Sequence, residues 1–216
     1  MNSLLARTRK YYFLAGLKLF GYVAAVQLLL VVEWTFFGVE EEDIVGFVSQ
    51  NVITFNAMFM VLFNMLFAIY GPNWYDSMVL SMGARRRDVF WGQLIKQSVF
   101  VGLSAILSIV LCVVFKHENF LGYTIVAVAA AMILGALGLV IGYKVKKYGK
   151  IVIFGLLIIV GVQAGIWGFV LATGIKLPIG SLNSAMILSL IGAGAVAVFV
   201  LLEFWAYRLN QKCMVS

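Results

Sequence analysis

Charge is scarce in this sequence. Of 216 residues, 12% are Asp, Glu, Lys or Arg and 63% are hydrophobic, and the mean hydropathy is +1.04. A water-soluble domain carries about 25% charged residues, so no water-facing surface can be assembled from what remains. Histidine occurs once and cysteine twice. Cys112 falls in an apolar run and Cys213 in the C-terminal tail, too far apart in depth for a mutual disulfide. One His and two Cys leave little for a zinc site. The single His117 sits in a short loop, away from any serine that it could activate at membrane depth. The only Gly-Lys pair, Gly149-Lys150, leads into Ile151 where a phosphate-binding loop needs Ser or Thr. The acidic run Glu40, Glu41, Glu42, Asp43 lacks the alternating ligands and turn glycine of a calcium loop. The expectation is a chain that is not an enzyme and binds no cofactor or metal of its own.

What the sequence has in abundance is apolar length. Six stretches, near 17–37, 47–70, 94–115, 122–143, 151–173 and 184–206, each suffice to cross a bilayer, which takes about 20 residues as a helix. Continuous rather than alternating apolar character predicts helices, not barrel strands. The expected fold is an all-α polytopic bundle, a single transmembrane domain over 1–216 with no separate soluble domain. The basic start, MNSLLARTRKYYF, has no small-residue cleavage site after it and reads as the lead-in to a retained first span. Residues 1–15 are expected to form a short interfacial helix.

The net charge of +7 does not point to nucleic acid, because the basic residues gather at span ends. Fourteen of the sixteen fall on one side: Arg7, Arg9, Lys10 and Lys18; Arg85, Arg86, Arg87 and Lys96; Lys144, Lys146, Lys147 and Lys150; Arg208 and Lys212. Only Lys116 and Lys176 fall on the other. The positive-inside bias assigns the fourteen, and with them both termini, to the cytoplasm.

One internal connection is long, the stretch 71–93. Gly71-Pro72-Asn73 is expected to end the second span, since proline lacks an amide donor. Asp76 and Ser77 then cap a short amphipathic helix through Met78, Val79, Leu80 and Met82, and Gly83 stops it. Arg85, Arg86 and Arg87 follow, and Asp88 caps the start of the third span. A short helix carrying apolar anchors and arginines suits docking into a partner's groove. The same arginines also suit a plainer role, holding the loop inside against anionic lipid.

The run Leu80-Ser81-Met82-Gly83-Ala84-Arg85-Arg86-Arg87-Asp88-Val89-Phe90, with Gly92, resembles the segment between spans two and three of small ABC-2-type permease subunits of ABC transporters. In that family a Ser or Thr commonly precedes the basic pair, where this chain has Ala84-Arg85. The resemblance implies a permease subunit of the bacterial plasma membrane, often an exporter, that pairs with a second permease subunit. It also implies a cytoplasmic ABC ATPase partner, which would supply the ATP chemistry, with residues 74–88 as the coupling element. The ten residues 174–183 leave no room for the large outer gate of bigger members. The alternative is a six-span solute-binding, carrier or immunity-type protein without an ATPase.

Polar residues inside the spans have two readings. Asn56, Met60 and Asn64 recur every four residues on one helix face, and Gln27 and Gln163 lie at similar depth. They form either the wall of a pathway or hydrogen-bonding glue between helices. Glu33 and Glu203 sit near span ends and are expected to reach water. Gly138 with Gly142, Gly161 with Gly165, Ala164 with Gly168, and Ser189, Ala193 and Ala197 make ridges of small residues. Such ridges let backbones approach closely, by default within one subunit.

Overall fold

In lipid a backbone amide has no water to bond, so each apolar run must close its own hydrogen bonds as a helix. The computed structural model describes residues 2–37, 43–115, 120–149, 152 and 184–212. Among the described residues are five helices and no strand: α1 (Asn2–Phe37), α2 (Ile44–Ser81), α3 (Arg86–Val114), α4 (Phe120–Tyr148) and α5 (Ser184–Lys212). All five are long and apolar enough to cross a membrane. The chain is a multi-pass membrane protein, all-helical among the described residues apart from turns. The expected span 151–173, apart from Val152, lies outside the described residues, as do His117, Gln163, Lys176, Cys213 and Glu40–Glu42.

Two helices run further than expected. The interfacial segment 1–15 is not separate but continues into the first span as α1, 36 residues long. Nothing between Leu14 and Lys18 stops it. Gly16 lies within the helix and lets α3 approach closely, since a β-carbon there would lie 2.7 Å from the Lys96 carbonyl oxygen. The second correction is at Pro72, which does not end the second span. α2 passes through it to Ser81, so the short helix starting at Asp76 is the last part of a 38-residue helix. At 1.5 Å per residue α2 is about 57 Å long, far more than the roughly 30 Å hydrocarbon core. Proline is tolerated inside a membrane helix when neighbours serve the freed carbonyls. Here Lys96 Nζ donates to Phe67 O at 3.1 Å, one residue before the carbonyl that Pro72 leaves without its amide. Lys146 Nζ donates to Pro72 O at 3.4 Å.

α2 packs most extensively against α4, α1 against α3, and α4 also against α5. The α2–α4 seam depends on glycine. A β-carbon on Gly138 would stand 2.6 Å from Met65 O, and one on Gly142 would stand 2.6 Å from Ile69 O. This small-residue ridge packs within the chain. The ridge on α5 differs, because Ala193 and Ala197 are exposed. The core has a central layer of Leu19, Val23, Ala57, Met60, Phe100, Val101, Ala127 and Ala131, one pair from each of α1 to α4. A second layer joins α2, α3 and α4 to Ala206 of α5. A third, of Tyr12, Val79, Ala84 and Val89, closes the end where α2 turns into α3.

Candidate functional site

The start of α1, the end of α2, the start of α3 and the ends of α4 and α5 meet at one end of the bundle. There α2 carries Asp76, which is 2% exposed. A lone carboxylate in such a place is costly unless donors converge on it. Three do, from three different helices. Tyr12 Oη of α1 donates at 2.8 Å and Gln93 Nε2 of α3 at 2.5 Å, both to Oδ1. Tyr143 Oη of α4 donates to Oδ2 at 3.1 Å. Lys96 acts on the carboxylate electrostatically while its Nζ lies 5.2 Å from the Tyr75 ring centroid.

Glycines make this convergence possible. A β-carbon on Gly92 would run into the Tyr12 ring, and one on Gly71 would lie 2.5 Å from Gln93 Nε2. Asp76 is therefore a four-helix clamp and not a helix cap at the surface. It is unavailable to a docking partner, which corrects its place in the expected coupling set.

The rest of that set divides. Trp74, Met78 and Met82, four residues apart, are 74%, 55% and 57% exposed and form one apolar stripe. Leu80 is half-buried against the third core layer. Gly83 stops the helix as expected, with φ of +89°. Its amide bonds Leu80 O at 3.0 Å and that of Ala84 bonds Val79 O at 3.3 Å, the paired bonds of a Schellman turn. The packing of Ala84 on Val79 completes it. Arg85 and Arg87 are exposed. Arg86 is not a free arginine: its Nη1 donates to Gln211 O at 2.5 Å, and Asn210 Nδ2 donates to Arg86 O at 2.8 Å. The start of α3 is thereby tied to the end of α5. Asp88 lies in the first turn of α3, whose cap is Arg85, so its charge meets the positive end of the helix dipole.

The described candidate pathway residues, Gln27, Asn56, Met60 and Asn64, are buried, and the three polar ones bond across helices. Gln27 Nε2 donates to Asn56 Oδ1 at 2.7 Å, and Asn56 Nδ2 to Ser108 Oγ at 2.6 Å and Ser104 O at 3.1 Å. Asn64 Nδ2 donates to Ala131 O at 2.8 Å. Met60 is fully buried between them. These contacts link α1, α2, α3 and α4 through interhelical hydrogen bonds.

Of the two span-end glutamates, Glu33 is exposed but Glu203 is 7% exposed. The C-terminal end of α5 leans on the bundle instead of trailing into water. Tyr207 stacks edge-on with Phe90 at 5.1 Å, and Lys144 sits over Trp205 at 4.6 Å.

Sequence reasoning missed Tyr12, Gln93, Lys96 and Tyr143 as partners. A signal was present for Asp76 itself and for Gln93 alone among the four. The buried stripe Asn56, Met60, Asn64 continues at the same spacing through Ala68 and Pro72 to Asp76. On α3, Gln93 and Gln97 begin a matching stripe through Val101, Ser104, Ser108 and Cys112. Treating Pro72 as a stop hid the first of these. No family model, no curated protein and no solved structure matches the chain.

Proposed function

We propose that this chain is a permease subunit that takes mechanical input from a separate cytoplasmic ATPase at the turn between α2 and α3. In this reading the protein has six spans with both termini cytoplasmic. It works as an exporter in a bacterial plasma membrane and pairs with a second permease subunit.

The observation that carries the reading is mechanical. The turn at Met82–Arg85 presents an exposed apolar stripe and exposed arginines, yet it hangs on a helix that continues unbroken into the bundle. A few residues inward, Asp76 fixes that helix to α1, α3 and α4. Force applied to a loose loop would dissipate in the loop. Force applied here moves four helices together, because a packed interior shifts between discrete arrangements and does not yield gradually. Apolar anchors flanked by arginine are also the chemistry of a groove-docked helix.

The test is co-purification of the tagged full chain from its native membranes. Wild type is compared with Met82→Glu/Arg85→Glu, which alters only exposed positions. A P-loop ATPase is expected with the wild type and at least tenfold depleted with the variant. Recovery of no such ATPase, or equal recovery with both, refutes the proposal.

A further inference from the structure

We propose that the inner end of α5 holds a binding site for an amphiphilic organic ammonium ion, with Glu203 as its counter-ion. Glu203 is 7% exposed, and neither of its carboxylate oxygens has a hydrogen-bond partner among the described residues. The Asp76 clamp shows how this chain treats a buried carboxylate that serves structure, since it brings three donors to it. Glu203 receives none. An ionisable group left so within a membrane helix marks a ligand site more often than a packing accident.

The space in front of it is suited to an ion. Glu203 lines a cavity of about 400 Å³ between α3 and α5, within the size range of small-molecule sites. Its walls are aromatic, with Phe90 and Trp91 from α3 and Phe204 and Tyr207 from α5. The Phe204 ring already carries the Arg208 guanidinium at 4.6 Å, so Phe90, Trp91 and Tyr207 are the rings left to meet an ammonium group beside the carboxylate. Arg87 lies at the cavity margin and is exposed; it leaves the carboxylate unpaired. The rim explains why the ligand is amphiphilic. Trp91 is 49%, Val200 56% and Phe204 55% exposed, so the opening faces the surroundings that lipid fills. A ligand arriving from the inner leaflet would place its ammonium at Glu203 and leave its apolar tail along Leu94 and Val200. The site does not rest on the ATPase reading, because binding needs no motor.

The experiment is equilibrium binding of radiolabelled dodecylammonium to the full chain in phosphatidylcholine nanodiscs, with empty nanodiscs subtracted. Dodecanol serves as the uncharged competitor. The expected result is a saturable component, one per chain, that dodecanol does not displace and that Glu203→Gln weakens at least tenfold. Trp91→Leu, which keeps the carboxylate, is expected to weaken binding severalfold at unchanged stoichiometry, and so serves if Glu203→Gln does not fold. Arg87→Gln is expected to bind as tightly as wild type or more so. Absence of a saturable component, equal affinity in Glu203→Gln, or loss of binding in Arg87→Gln would each overturn the site.

Discussion

At the scale of single residues, the chain is held by a few polar groups whose bonds have no substitute in lipid. Asp76 is the most exacting of them. Replacing it with Ala removes the carboxylate that accepts from Tyr12, Gln93 and Tyr143 in a buried site. Losing one partner of a buried, charged network costs about 3–5 kcal/mol, as against about 1 kcal/mol for an ordinary hydrogen bond. Asp76→Ala should therefore lower the thermal midpoint of the detergent-purified protein steeply. Asp76→Asn, which keeps one acceptor, should lower it much less. Equal midpoints for both variants and wild type would mean that the clamp is not a clamp. Gly92→Ala acts on the same group indirectly. Its methyl displaces the Tyr12 ring, and overpacking of this kind costs about 1–3 kcal/mol. Gly21→Ala is the control, since a β-carbon there meets nothing within 4 Å.

At the scale of elements, the apolar runs made the helices legible and the polar residues made their ends misleading. Length and continuity gave four of the expected spans counterparts in α1 to α4 and a fifth in α5. Gly83 was readable as a stop because only glycine takes a φ of +89° without strain. Pro72 was not readable, because whether a proline ends a helix depends on what serves its orphaned carbonyls. Donors from other helices, Lys96 on Phe67 O and Lys146 on Pro72 O, bond carbonyls on either side of the orphaned one. The identity of Asp76 failed for the same reason: as a local pattern Asp-Ser is a cap, and only α1, α3 and α4 turn it into a clamp. Arg85, Arg86 and Arg87 are alike in sequence and differ only through the position of α5. That difference is testable. Arg86→Ala removes donors from the last carbonyls of α5 and should cost about 1–2 kcal/mol. Arg85→Ala, at an exposed position without a cap bond, should stay within about 0.5 kcal/mol of wild type. Thermal melts of the two variants side by side check this.

At the scale of the whole molecule, the bundle is polarised. The start of α1 and the end of α2 extend well beyond what a bilayer core requires, and they do so together. Around them lie Arg7, Arg86 and Lys146, which line two small cavities at that end. Moving a Lys or Arg to the bilayer centre costs about 2.5–3.5 kcal/mol even on the gentlest scale. In the proposed reading an end that collects such residues is retained on the side of synthesis. Single-cysteine labelling turns this into a measurement, starting from a Cys112→Ala/Cys213→Ala background. Val45 and Met82 lie near opposite ends of α2 and are 62% and 57% exposed, so each can carry the probe without disturbing the core. In intact cells a membrane-impermeant maleimide should label Val45→Cys, and it should reach Met82→Cys only after permeabilisation. The opposite pattern would turn the α2–α3 turn outward, beyond the reach of any cytoplasmic ATPase. Coupling at that turn would then be physically impossible, whereas binding of an ammonium ion at Glu203 would still stand and would simply be fed from the other leaflet.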